Sequence, residues 1–160
     1  MTIAKDVKVQ LAFDPARVAS YRQIGYENRA LANEDFDNDE VDAGELGAGD
    51  SVTVLYEVVP RGDARGGTLS TLKVRYKEPH AWRSRLVTAE AVDEGKSAYE
   101  ASVDLQFAAS VAEFGLLLRD SPNKESASYD DALHLARVSQ GADLDGMRGE
   151  FLALLDKAKR

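Results

Sequence analysis

Apolar and polar residues alternate along the first half of the chain, and this period of two predicts β-strands. In residues 5–13 (KDVKVQLAF), Val7, Val9, Leu11 and Phe13 fall on one face, and Lys8 falls on the other. We expect the valines, the leucine and the phenylalanine to point into a core and Lys8 to point into water. Asp-Pro follows this strand and ends it.

Four further segments have strand character, namely residues 18–27, 51–59, 71–77 and 84–92. Residues 51–59 (SVTVLYEVV) are apolar on both faces, which predicts a central strand that is covered on two sides. Residues 71–77 (TLKVRYK) alternate most regularly, with Leu72, Val74 and Tyr76 predicted to point inward. The short gaps between these segments favour antiparallel pairing.

The apolar period changes to that of a helix after about residue 100. A first helix over residues 100–119 is predicted to bury the stripe Val103, Phe107, Val111, Phe114, Leu117 and Leu118. Ser128 and Asp131 have the spacing of a capping box and are predicted to open a second helix. Asp143 or Asp145 is predicted to start a third helix, which runs to the C-terminus.

Because the strands come first and the helices follow, the sequence predicts an α+β fold. We expect an antiparallel β-sandwich or sheet of about five strands, followed by a C-terminal three-helix unit. The predicted boundaries are 1–98 for the β region and 99–160 for the helical region. We expect the helical region to pack on the β region, so that the two form one structural unit.

Charge and composition exclude several classes of function. Acidic residues outnumber basic ones 28 to 20, for a net charge of -8, which disfavours binding to nucleic acid or to an anionic membrane surface. The absence of cysteine excludes disulfides, zinc thiolates and a cysteine nucleophile. No apolar run is long enough for a membrane span, and no targeting signal is visible in this chain.

The acidic stretch 33–50 (NEDFDNDEVDAGELGAGD) carries the sharpest chemical signal, because Asp35, Asp37 and Asp39 match the first positions of a calcium loop. The loop also requires glycine at its sixth position and glutamate at its twelfth, and this chain has Glu40 and Leu46 there. One interpretation is a calcium-stabilised binding module that uses residues 35–42, including Asp42. The alternative is a polar loop whose Asp and Asn side chains bond nearby backbone amides.

The positions of the two histidines do not indicate a class of reaction. His134 lies three residues after Asp131 on a predicted helix, where the two side chains could meet, whereas His80 lies in a loop. Such pairs are common on helices, and no nucleophile, metalloprotease or phosphate-binding motif accompanies this one. We therefore predict no catalytic residue, no metal ligand and no cofactor, and we interpret the chain as non-enzymatic.

Basic side chains alternate along the fourth predicted strand, residues 71–77, and form a stripe on one of its faces. Lys73, Arg75 and Lys77 lie on one face, and Arg83 and Arg85 are close in sequence. This stripe could bind an acidic partner. The alternative is the wet face of an antiparallel strand, neutralised by Asp or Glu on neighbouring strands.

Several long stretches together resemble a known family. They are AKDVKVQLAFDPARVASYRQIGYENRAL, EDFDNDEVDAGELGAGDSVTVLYEVVP, LKVRYKEP, DLQFAASVAEFGLLLRDS and SYDDALHLAR, and the resemblance as a whole covers about residues 4–158. The chain resembles the C-terminal region of bacterial YfbK-type proteins, in which a von Willebrand factor type A (VWA) domain precedes a domain of unknown function. The D-x-S-x-S metal motif of VWA domains does not occur in these residues.

The resemblance implies a non-catalytic accessory domain that supports an upstream VWA domain and mediates protein–protein interaction. It also implies a location in the cell envelope or periplasm. If such a sheet takes strands from both sides of an inserted VWA domain, the first or third strand here has lost a neighbour. An exposed strand edge of that kind predicts a homodimer.

Overall fold

The computed structural model describes residues 1–25, 32–62 and 66–159, which form two compact units, Met1–Gly95 and Lys96–Arg160. The first unit contains the strands β1 (Thr2–Phe13), β2 (Val18–Ile24), β3 (Gly44–Gly47), β4 (Leu55–Pro60), β5 (Gly67–Lys77) and β6 (Arg85–Asp93). The second contains the helices α1 (Val103–Leu118), α2 (Tyr129–Val138) and α3 (Met147–Ala158). The predicted α+β class, with antiparallel strands followed by three helices, is confirmed.

Four strands form one antiparallel sheet in the order β3-β1-β5-β6. β5 lies between β1 and β6, with the ladders Val9↔Val74 and Val74↔Val87 crossing the middle of the sheet. The β1–β5 register shifts between Lys5 and Lys8, and Asp6 in this bulge has a φ of 52°. The bulge resets which side chains of β1 lie on each face.

The remaining two strands, β2 and β4, pair with each other in a small antiparallel sheet. This corrects the predicted central strand at 51–59, because the ladder begins only at Ile24↔Leu55 and β4 has no second neighbour among the described residues. Val52 is 63% exposed accordingly. The predicted end of the second strand, residues 26–27, lies outside the described residues.

An aromatic cluster joins the two sheets of the first unit. The Phe13 ring at the end of β1 stacks on Tyr21 of β2 with centroids 4.1 Å apart, and it meets Tyr56 of β4 edge-on at 5.6 Å. Such contacts contribute beyond the area they bury. They hold the small sheet at the Phe13 end of the large one.

The core of the helical unit is built from residues of all three helices. Phe114, Ala132, Leu133, Ala136 and Leu155 are buried together, and Phe107 and Phe151 pack against them. The predicted stripe on α1 is therefore correct at Phe107 and Phe114. It is wrong at Val103, Val111 and Leu118, which are exposed, because the core forms on the face of α1 that α2 and α3 cover.

The cap of α2 is the one that the sequence predicts, whereas the N-cap of α3 is Gly146, and the predicted Asp143 and Asp145 lie before it and accept hydrogen bonds from amides at the start of the helix. The Ser128 hydroxyl accepts a hydrogen bond from the Asp131 amide at 3.1 Å and donates one to the Asp131 carboxylate at 2.6 Å. Asp143 accepts from the amides of Arg148 (2.9 Å) and Gly149 (2.8 Å). Burial alone would raise the pKa of Asp143, but these hydrogen bonds outweigh it and leave that pKa lowered.

The strand order bears on the prediction that the first or the third strand has an open edge. β1 has β3 on one side and β5 on the other, so the prediction that the first strand has lost a neighbour is wrong. That the third predicted strand, which corresponds to β4, has lost a neighbour stays a prediction. The packing of the helical region on the β region stays a prediction as well. None of the described helices has both the length and the apolarity of a membrane span.

Candidate interaction surface

The acidic segment, residues 32–43, folds over the charged face of the large sheet. Phe36 in this segment is 4% exposed. Lys8 of β1 is 3% exposed, and its ammonium group donates hydrogen bonds to the backbone oxygens of Asp35 (3.1 Å) and Asn38. A side chain predicted to point into water thus anchors the segment, because the backbone carbonyls replace its water shell.

Arg75 of β5 holds the middle of the acidic segment. Its guanidinium group lies 2.6 Å from the Asp37 carboxylate and 3.7 Å from that of Asp39, and it lies over the Phe36 ring at 5.7 Å. Hydrogen bonds from Ser84, helped by nearby cations, lower the pKa of Asp39. Two of the three predicted calcium ligands are therefore neutralised within the chain.

Lys77 completes this network at the bulge of β1. Its ammonium group lies 2.7 Å from the Asp6 carboxylate and donates to the backbone oxygen of Asp39, also at 2.7 Å. The hydrogen bond from Lys77 lowers the pKa of Asp6. The left-handed backbone at Asp6 is what directs its carboxylate toward Lys77.

These contacts bear on both hypotheses for the charged segments. The described residues contain no group of three or more His, Cys, Asp or Glu side chains placed to hold a metal ion. The cations of Arg75 and Lys77 face the acidic segment of the same chain, so they do not form an open basic patch. Lys73 has no hydrogen bond or ion pair to a described residue, and Arg85 pairs with Glu78 at 3.0 Å.

The histidines are not placed beside the groups that acid–base chemistry needs. His134 is exposed, and its ring meets that of Tyr99 edge-on at 6.5 Å. Asp131, its predicted orienting carboxylate, is bonded to Ser128, and no hydrogen bond joins it to His134 among the described residues. His80 is exposed as well. Within the described residues, neither histidine has a hydrogen bond or ion pair to a carboxylate.

The opposite face of the large sheet carries apolar side chains, and much of it is open. We call it the open face and define it as Val9, Leu11, Leu72, Val74, Val87 and Ala89, which lie in register on three strands. Val9 is 55% exposed and Val87 is 52% exposed, with Val74 between them. Exposed apolar side chains that adjoin one another mark an interaction surface more often than scattered ones do.

Sequence periodicity located the β1 and β5 residues of this face, but the burial it predicted is wrong at Val9 and only partial at Leu11, Leu72 and Val74. Val9, Leu11, Leu72 and Val74 were predicted to be buried, since alternation normally places the apolar face of a strand in a core. In the structure, the acidic segment covers the polar face instead, and within the described part of the β unit the aromatic cluster lies at one end of the apolar face while Val9 and Val87 stay exposed. The pairing of Lys8 with loop carbonyls is the feature that alternation cannot encode.

Comparison with known proteins identifies the family. The family described as "Uncharacterized protein YfbK, C-terminal" matches residues 1–68 and 63–160. The protein "Uncharacterized protein YfbK" of Escherichia coli (strain K12) is 37% identical over 176 aligned residues. The match covers 99% of this chain and 30% of that relative, so the chain spans less than a third of the relative's length. No solved structure matches the chain. These matches show that the chain belongs to the YfbK C-terminal family.

Proposed function

We propose that this chain is a non-catalytic accessory domain of a longer bacterial protein, that it supports a VWA domain located upstream, and that its open face makes the protein–protein contact. The observation that carries the proposal is the exposure of Val9 and Val87 on one face of a paired sheet. A half-apolar sheet gains stability by covering that face with another element.

The length of the E. coli relative supports an occupant from the same polypeptide. The match covers 30% of that relative, so about 70% of its length lies outside the match. Segments of one polypeptide meet at a high effective concentration, which makes even a small apolar face sufficient for docking. The VWA domain that the family resemblance implies is the occupant we propose.

The absence of a catalytic role is part of the same proposal. It is supported by the exposed His134 ring and by the use of Asp131 in the cap of α2. It is also supported by the acidic segment, whose Asp37 and Asp39 carboxylates are paired with Arg75. Each of these carboxylates is therefore engaged in a contact that stabilises the fold.

The proposal includes the compartment that the family resemblance implies, the bacterial cell envelope. Fractionation of cells that produce the full-length protein tests this point. Recovery with the membrane or periplasmic fraction supports it, and recovery with the cytosol alone contradicts it.

A titration tests the docking surface. The rest of the full-length protein is produced separately and titrated with this chain by calorimetry. Val9→Glu and Val87→Glu place a charge in the proposed contact and should weaken binding at least about tenfold, since a desolvated unpaired charge costs more than about 1.4 kcal/mol.

Val59→Glu is the matched control, because Val59 is 48% exposed and lies on the small sheet. It should bind within about twofold of the wild type. Equal binding by all three variants, or no binding by the wild-type chain, would contradict the proposal.

A further inference from the structure

The outer edge of β6 is an unusual feature of this fold. Among the described residues β6 has β5 as its only strand neighbour, and Arg85 through Val92 are all exposed. It runs for 9 residues, whereas β4 has 6 and ends in a proline. Exposed edges are usually protected by lysine, proline or a bulge that faces outward. The sequence RLVTAEAVD contains no lysine and no proline, and two of its three charged residues, Arg85 and Asp93, lie at its ends.

The composition of β6 favours strand pairing. Leu86, Val87 and Val92 are each more than half exposed, and Thr88 adds a further β-branched side chain. Residues of this type stabilise strands through cross-strand contacts. A second strand laid along this edge would satisfy the outward-facing backbone groups and cover these side chains.

We propose that β6 pairs with β6 of a second copy of this chain. The two strands run antiparallel, and the two-fold axis that relates them is perpendicular to the sheet and lies midway between the two Ala89 residues. An axis in that direction keeps each side chain on its own face, so residues of equal parity face each other. Centring it on Ala89 uses all 9 residues of the strand. The resulting sheet has eight strands, because each copy contributes four.

In this register the side chains of β6 are complementary to those of β6 in the second copy. Leu86 faces Val92 of the second copy, and Val87 faces Ala91, so apolar residues meet apolar residues twice over. Thr88 faces Glu90, a hydroxyl against a carboxylate.

The charges at the ends of the strand also agree with this register. Arg85 faces Asp93 of the second copy, which adds an opposite charge beside its own partner Glu78. Asp93 meanwhile keeps its hydrogen bonds to the amides of Gly66 and Gly95. No like charges are opposed anywhere along the pair.

The neighbouring registers lack this agreement. A two-fold axis through Glu90 would place two glutamates directly opposite each other, and an axis through Thr88 would oppose Leu86 and Glu90. Like charges directly opposite each other destabilise a strand pair. The axis through Ala89 is therefore the self-pairing that the side chains select.

The proposed pairing uses the backbone edge of β6, whereas the open face is formed by side chains on one surface of the sheet. Val87 and Ala89 belong to both, and Val9 on β1 belongs to the open face alone, so Val9 variants report on docking without changing the dimer contact. Because the two-fold axis preserves the faces, the open faces of both copies lie on the same side of the joined sheet. A dimer of this kind would present two docking surfaces side by side. The paired edges bury little area, so the association should depend on concentration.

Sedimentation velocity on the 160-residue chain tests the proposal. Over about 1–200 µM the wild-type chain should pass from the 17.4 kDa monomer to a species of about 35 kDa, twice that mass. A chain that stays monomeric over this range would overturn the proposal.

One substitution separates the dimer contact from folding. Within the chain Thr88 lies opposite Lys73, so Thr88→Glu adds an opposite-charge pair and should not lower the melting temperature. Across the two-fold axis the same carboxylate faces Glu90 of the second copy, twice per dimer. The dissociation constant should therefore rise about tenfold.

The double variant Thr88→Glu/Glu90→Lys restores opposite charges across the axis, and the dimer should return. Ser20→Glu, at an exposed position of β2, adds the same charge on the small sheet and outside β6, and it should leave the dimer unchanged. If Thr88→Glu dimerises like the wild type, or if the double variant stays as weak as Thr88→Glu, the proposed register is wrong.

Discussion

Replacing Lys8 by methionine tests how the acidic segment is held. The substitution keeps the aliphatic stem of the buried side chain and removes the ammonium group that donates to the Asp35 and Asn38 carbonyls. Hydrogen bonds to a charged group contribute about 1.5–3 kcal/mol each, and removal of the cation also removes its desolvation penalty. We expect the free energy of unfolding of the β unit to fall by about 3 kcal/mol.

The measurement must report the β unit separately from the helices. Urea titration with pulsed hydrogen–deuterium exchange and mass spectrometry does this, because peptides from β1 and β5 are read individually. Lys73→Met is the matched control: Lys73 lies on the same face of the sheet, next to Gln10, without a hydrogen bond or ion pair to a described residue. It should change the unfolding free energy by no more than about 0.5 kcal/mol. If Lys8→Met is equally mild, Lys8 does not anchor the segment.

Four further predictions concern the core, calcium and pH. Leu155→Ala should destabilise the helical unit by about 3 kcal/mol, because Leu155 is 0% exposed, whereas Leu144→Ala at a 98% exposed position should have almost no effect in the same thermal melts. Calcium and chelator should give the same melting curve, because the paired aspartates gain little from a cation; a rise of several degrees with calcium would contradict the ion pairing described here. The pKa of Asp6 is lowered in the fold, so its contribution to the free energy of unfolding is present above the ordinary carboxyl pKa and is lost as pH falls through the lowered pKa of the folded state. Asp6→Asn should remove this part of the acid dependence. An unchanged pH profile of stability in this variant would refute the prediction. Burial raises the pKa of Glu113, so ionisation of this carboxyl destabilises the fold as pH rises above the ordinary carboxyl pKa. Glu113→Gln should therefore raise the melting temperature at pH 7 but not at pH 4. Equal effects at both pH values would contradict this prediction.

Much of the fold follows from local sequence patterns. The strand at 84–92 is observed at Arg85–Asp93, and the cap of α2 is formed by the predicted Ser128 and Asp131. Asp143 and Asp145, predicted as starting residues of the third helix, both accept amide hydrogen bonds at its start. These features depend on neighbours in the chain, which a single sequence displays directly.

The environment of each sheet face could not be predicted in the same way. Lys8 and Val9 alternate as a strand should, yet the lysine is 3% exposed and the valine is 55% exposed. The inversion arises because residues 32–43 return to the charged face and supply carbonyls and carboxylates to Lys8, Arg75 and Lys77. Such contacts join residues about 30 positions apart, and periodicity along a strand carries no information about them.

The candidate surface was missed for a related reason. An apolar alternation indicates burial, but it does not say whether the covering element belongs to the same unit. Val9, Val74 and Val87 satisfy the pattern and are left partly open in the β unit. A signal in the sequence is the charge complementarity between Lys8, Arg75 and Lys77 on one strand face and the run of carboxylates in residues 32–43, since a covered charged face leaves the apolar face for another element.

The most direct test of the proposed function is the accessibility of the open face in the full-length protein. This chain has no cysteine, so Val9→Cys and Val59→Cys are clean reporters once cysteines elsewhere in the protein are replaced by serine. Thiol labelling rates are compared between the 160-residue chain and the full-length protein. The account predicts that Val9→Cys labels at least about tenfold more slowly in the full-length protein while Val59→Cys is unaffected. Equal labelling of Val9→Cys in both proteins would contradict the proposal that the open face is a docking surface.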